Sequence, residues 1–228
     1  MKPCFALTTA CLTTACLTAL AVNATDTTNN WIDKAPAAAV LPGKGPVQDG
    51  DWFDQNWRAR RTTFRQRAVS DRSALVFLGD SITQGWSDDF GNHFPKYRGA
   101  NRGIGGDTTR GVLFRLQEDV LDLKPAAIVL LIGTNDLGIG GDPADTADNT
   151  RAILAAIRQL DANAPVIICK VMPRADGAMT NALVKIQKLN RRVDEIVKAD
   201  AKCLRCDTWS IFGDHGTATS AEFYDYCI

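Results

Sequence analysis

The sequence predicts a three-layer α/β fold, in which a parallel sheet is covered on both faces by helices joined through right-handed crossovers. Short apolar runs without a polar face recur along the chain, as strands buried on both sides require. Longer stretches between them repeat their apolar residues at helical spacing. The runs are "ALVFL" at 74–78, "AAIVLLI" at 126–132, "VIICKV" at 166–171 and "KCLRC" at 202–206, with a further short strand predicted near "YRGA" at 97–100.

Taken in order, the first element is an entry helix from Asp51 to Ser70, with Trp52, Phe53, Trp57, Phe64 and Ala68 as an approximate apolar stripe. Val112, Leu113, Leu116 and Val120 mark a second helix, and Ile153, Leu154, Ile157 and Leu160 a third. Met179, Leu183, Ile186, Leu189, Val193 and Ile196 mark a fourth. In an open parallel sheet of this kind ligands bind at the carboxyl ends of the strands.

The folded domain is expected to span 51–228. Residues 25–50 are polar at first, then rich in Ala, Pro and Gly without sustained periodicity, and read as a linker or draped extension. Residues 1–24 carry one charge, Lys2, and an apolar, threonine-rich run ending "TALAVNA", with small residues where a signal peptidase cuts. They read as a signal peptide, so the protein is expected to be exported to the periplasm or the extracellular space. The run is short and threonine-rich for a membrane span, and no stable membrane insertion is expected once it is removed. "TTAC" occurs twice, ending at Cys11 and Cys16, but lacks the leucine usual three residues before a lipidated cysteine.

Lys and Arg number 26 and so do Asp and Glu, a balance that loss of Lys2 hardly alters. Such neutrality argues against nucleic acid or an anionic membrane surface as partner. The basic run Arg58, Arg60, Arg61, Arg65 and Arg67 reads as a solvated helix face. Of seven cysteines, Cys169, Cys203, Cys206 and Cys227 lie outside the leader. "CLRC" at 203–206 has no second CxxC or histidine pair beside it, and no metal site is expected. Three residues apart on a strand, Cys203 and Cys206 point to opposite faces, which makes a disulfide between them strained.

Three loop motifs follow three successive strands and so share one sheet edge. They are "GDSIT" with Ser81 at the turn into a helix, "NRGIGGDTT" from Asn101 to Thr109, and "IGTND" from Ile132 to Asp136. Each has an ordinary account by itself: a helix cap from Asp80 or Ser81, a tight glycine loop, and an asparagine turn. Together, Ser81 with its own amide, a glycine amide from the second loop and the Asn135 side chain make a nucleophile facing a three-donor oxyanion hole. That is acyl-transfer chemistry. Asp107 and Asp136 read as loop or cap residues.

These motifs resemble the SGNH (GDSL-type) hydrolase superfamily, most closely the platelet-activating factor acetylhydrolase-like and bacterial carbohydrate acetylesterase subgroup. The resemblance covers roughly Asp51 onward. It implies a flavodoxin-like sheet, Ser81 as nucleophile, and Ser81, Gly106 and Asn135 as oxyanion donors, with Asp80 supporting the turn. It also implies no cofactor, a metal-free mechanism, and a small ester or O-acetylated carbohydrate as substrate. Thr83 stands where a G-x-S-x-G elbow would have its second glycine. A lysophospholipase or thioesterase of the same superfamily is an alternative.

Family members end in an Asp-x-x-His block whose histidine deprotonates the serine and whose aspartate orients it. Asp225 takes the aspartate position in "EFYDYCI", and Ile228 takes that of the histidine. Neither His93 nor His215 matches the position of the base. Leu-His-Leu-Thr written CTG CAT CTG AC becomes TGC ATC TGA, Cys-Ile-stop, on loss of one base, so the expectation is a chain cut at its catalytic histidine and lacking the last helix. The competing reading is a relative that binds an acetylated ligand without turning it over.

Overall fold

The computed structural model describes residues 35, 37–87, 94–174, 181–214 and 217–218. Helix α1 (Asp51–Arg67) leads into β1 (Leu75–Gly79), the short α2 (Ser81–Gln84), β2 (Gly99–Gly103) and α3 (Thr109–Asp119). Strand β3 (Ala127–Leu131), the short α4 (Thr134–Gly138), α5 (Pro143–Leu160) and β4 (Val166–Cys169) follow. Then come α6 (Ala182–Ala199), β5 (Cys203–Cys206), α7 (Thr208–Phe212) and the two-residue strands β6 (Gly213–Asp214) and β7 (Thr217–Ala218).

Strands β1 to β5 form one wholly parallel sheet in the order β2-β1-β3-β4-β5. Helices flank it, giving the expected flavodoxin-like α/β architecture. Its core is drawn from the expected apolar set, with Val76, Leu78, Ile128, Leu130, Val166 and Ile168 from the strands packed against Val112, Ile153, Ile157, Ile186 and Leu189 from the helices. Leu160 of the third expected stripe is instead exposed, and Met179 lies outside the described residues. A smaller cluster of Phe53, Trp57, Phe64 and Ile104 seats α1. Among the described residues no helix is long and apolar enough to cross a membrane.

The chain leaves β1 toward β2 on one side and later returns to β3 on the other. The strand order therefore reverses at β1. Beyond the carboxyl ends of the strands at such a point, open sheets of this kind bind their ligands.

The structure corrects several readings. Strand β2 runs through Asn101–Gly103, residues the sequence had suggested were loop. They are polar yet buried because Asn101 Nδ2 donates to the carbonyls of Thr83 (2.8 Å) and Ser87 (2.6 Å), while Arg102 pairs with Asp71 at 2.9 Å. The basic face of α1 is only partly solvated. Arg61 is buried, paired with Asp119 at 3.1 Å, and Arg60 donates to the Gly103 carbonyl at 2.9 Å. Trp52, placed in the apolar stripe, is 55% exposed. Cys206 has Cys169 of β4 as its register partner, and Cys169, Cys203 and Cys206 are free thiols.

Residues 38–49 lie across α3 and α5. The Arg110 guanidinium donates to the carbonyls of Ala38, Leu41, Pro42 and Gly45 at 2.6–3.0 Å. Asn149 brackets Lys44, accepting from its N–H at 3.1 Å and donating to its carbonyl at 2.8 Å.

Candidate active site

Ser81 is the first residue of α2, directly beyond β1. Asp80 caps that helix, its Oδ1 accepting from the Ile82 N–H at 3.0 Å. The cap satisfies the Ile82 amide, while the Ser81 N–H has no hydrogen-bond partner among the described residues. Asp80 is 1% exposed, and burial raises its pKa to about 7, with nearby Asp107 and Asp136 adding to the rise. Its Oδ2 has no hydrogen-bond partner among the described residues. The helix sits close on β2 because Gly103 has no side chain; a Cβ there would overlap Gln84 N.

The second loop passes beside the serine. A Cβ on Gly105 would stand 3.6 Å from Ser81 Cβ, so the two backbones are near neighbours. Gly105 N–H donates to Gln84 Oε1 at 2.6 Å and its carbonyl accepts from Asn56 Nδ2 at 3.1 Å. Gly106 then turns with φ +83°, and a Cβ there would lie 2.5 Å from Trp52 Cη2. Only glycine meets both demands. Gly106 N–H has no hydrogen-bond partner among the described residues.

The third loop closes onto the second. Asn135, in the first turn of α4, donates through Nδ2 to the Asp107 carbonyl at 2.9 Å, leaving its second amide hydrogen for another acceptor. Next to it, Asp136 accepts from the Thr109 N–H at 3.0 Å and from the Thr109 hydroxyl, which also accepts from Asn149 Nδ2 at 2.9 Å. Asp107 accepts from Arg115 Nε at 2.8 Å, and Arg115 Nη2 reaches the carbonyls of Gly79 (3.2 Å) and Arg102 (2.9 Å). One guanidinium thus ties together the ends of β1 and β2 and the loop between β2 and α3. Both carboxylates serve these loops.

Of the residues singled out from sequence, Ser81, Gly106 and Asn135 therefore border one stretch of backbone, with Ser81 beside Gly105 and the Asn135 amide on the Asp107 carbonyl. Asp225, His93 and His215 lie outside the described residues. Sequence reasoning missed Asn56, Gln84 and Trp52. Gln84 carries a faint signal, standing three residues beyond Ser81 on the same short helix. Nothing local marks Asn56, whose partners are 28 and 49 residues away.

A model of the GDSL-like lipase/acylhydrolase family matches residues 77–227. Platelet-activating factor acetylhydrolase IB subunit alpha1 of Homo sapiens is 30% identical over 203 residues, covering 85% of this chain and 82% of its own. A solved acylhydrolase from Bacteroides fragilis superposes with a TM-score of 0.61 at 26% identity, over 78% of this chain and 93% of that one. An acetyl xylan esterase structure gives a TM-score of 0.52 at 21% identity, over 60% of this chain and 78% of that one, a likeness of fold.

Proposed function

We propose that this chain, which belongs to the GDSL-like lipase/acylhydrolase family, is an exported serine esterase that removes small acyl groups, chiefly acetyl, from carbohydrate or other small esters. The observation that carries the reading is the backbone of Gly105–Asp107, which runs beside Ser81 and takes the Asn135 amide on its Asp107 carbonyl. The amides of Ser81 and Gly106 and the second Asn135 hydrogen are the donors left over. In the proposed reaction Ser81 Oγ attacks the ester carbonyl and the three donors stabilise the oxyanion. The alcohol leaves, and water then hydrolyses the acetyl-serine. The acetyl preference draws support from the acetylhydrolase named among the relatives, and export from the leader-like residues 1–24.

In the family that the chain resembles, proton transfer falls to a histidine three residues beyond the aspartate that Asp225 matches, and Ile228 holds that position in this sequence. Ile228 is also what favours the second reading, a protein that binds acetylated ligands without turnover.

Hydrolysis of p-nitrophenyl acetate separates the two. Ile228→His should raise the rate of the 228-residue chain about 100-fold or more, the usual contribution of a positioned general base. Ser81→Ala in that background should remove the gain. Activity that survives Ser81→Ala overturns the esterase assignment, and no gain from Ile228→His favours the binding protein.

A further inference from the structure

We propose that one face of α1 is a splint for the oxyanion loop, and that Asn56 is the positioning residue that aims the Gly106 N–H at the reacting oxygen. The inference rests on the reading of Gly106 as an oxyanion donor. It adds a residue from outside the three loop motifs.

Trp52, Asn56 and Arg60 stand at i, i+4 and i+8, one stripe along the helix. Their targets follow the loop in reverse order. The Trp52 indole lies against Gly106, Asn56 Nδ2 holds the Gly105 carbonyl at 3.1 Å, and Arg60 Nε holds the Gly103 carbonyl at 2.9 Å. The stripe thus follows the backbone out of β2 and up to the donor.

Asn56 does not act alone. Its amide and that of Gln84 form a reciprocal pair, Asn56 Nδ2 to Gln84 Oε1 at 3.2 Å and Gln84 Nε2 to Asn56 Oδ1 at 3.1 Å. The pair closes on Gly105 from both ends, Gln84 Oε1 taking its N–H and Asn56 Nδ2 its carbonyl. Because Gln84 shares α2 with Ser81, the same clamp fixes the loop relative to the nucleophile.

The consequence follows from peptide geometry. No peptide bond in the described residues is cis. In a trans peptide the carbonyl of one residue and the N–H of the next point in opposite directions. Holding the Gly105 carbonyl toward α1 therefore turns the Gly106 N–H away from α1. A glycine pair has little other resistance to rotation of that peptide plane, since neither residue has a Cβ. With the clamp gone the plane rotates, and the donor spends only part of its time aligned.

The test is steady-state hydrolysis of p-nitrophenyl acetate by the Ile228→His chain and by the same chain carrying Asn56→Ala. Loss of a whole oxyanion donor costs on the order of 100-fold or more, and a donor that is merely misaimed loses part of that. The expected result is a kcat about 10-fold to 100-fold lower, with KM within about two-fold and the thermal midpoint little changed. Should Asn56→Ala fail to fold, Asn56→Asp keeps the size but cannot donate to the Gly105 carbonyl while ionised. Its rate relative to the parent should then rise as the pH is lowered and the carboxyl regains a proton. A kcat within about two-fold of the parent in Asn56→Ala, or a pH-independent ratio in Asn56→Asp, overturns the assignment of Asn56 alone. If Ser81→Ala leaves the parent rate unchanged, the esterase reading falls, and the splint's catalytic role falls with it.

Discussion

The front and the back of the three site loops are built from opposite materials. At the front stand neutral donors: the amides of Ser81 and Gly106, the Asn135 side chain and the Asn56–Gln84 pair. At the back lie Arg61, Arg102 and Arg115 with Asp71, Asp107 and Asp119, each at most 6% exposed. They pair as Arg61–Asp119, Arg102–Asp71 and Arg115–Asp107 at 2.8–3.1 Å, and the Arg102 and Arg115 guanidiniums lie 4.8 and 5.8 Å from the Phe64 ring centroid. Buried charges hold only when partnered, so each pair rigidly fixes two pieces of backbone. On the proposed reading, the neutral front receives a transient negative charge without a permanent counter-ion that would bind the ground state as well. Changes at the back should accordingly be read in stability, and changes at the front in rate.

The largest separation is expected from Arg115→Met, which leaves Asp107 buried without its cation. Breaking a buried pair costs about 3–5 kcal/mol, and a drop of roughly 10 °C in thermal midpoint should follow. A folded Arg115→Met protein with an unchanged midpoint and a lost rate would erase the division between back and front. Asn135→Ala should do the reverse, lowering kcat on the order of 100-fold with little change in KM. Calorimetry and ester kinetics on both variants check the pair.

The smallest effect sharpens the boundary, because Asp80 is a charge-bearing group set at the front. Burial raises its carboxyl to about 7 from 3.8. The folded chain therefore binds more protons than the unfolded one between those values, and stability falls as pH rises through that window. Asp80→Asn removes this proton linkage. The thermal midpoint of the parent should fall more steeply than that of the variant between about pH 5 and pH 7, by roughly 5 °C. Parallel curves would mean that the Asp80 carboxyl is solvated.

Much of this was legible in sequence because the signals were local. Strands β1, β3, β4 and β5 announce themselves as apolar runs, and the three loops follow their strands directly. What escaped was held by long-range partners. Arg61 reads as a solvated cation because Asp119 lies 58 residues on. Asn101 and Arg102 do not look like strand residues, since their burial depends on Thr83, Ser87 and Asp71. Trp52 fits the helical stripe by spacing, yet its ring lies over Gly106 and is half exposed rather than in the core. In each case a polar or glycine partner from another element decided the outcome, and no window of sequence contains both.

The most direct test of the central claim is to trap the acyl intermediate on the 228-residue chain. p-Nitrophenoxide leaves without protonation, so acylation by this ester suffers less from the missing base than deacylation, in which water must be activated and the serine alkoxide protonated. An acetyl group taken from p-nitrophenyl acetate should therefore persist on the protein. Tryptic cleavage at Arg72 and Lys96 releases residues 73–96 with Ser81 inside, and mass spectrometry locates the group. The account predicts an acetyl on Ser81 that is absent from Ser81→Ala and slower to form in Asn135→Ala. Acetylation confined to lysines, or equal labelling of residues 73–96 in Ser81→Ala, would contradict it.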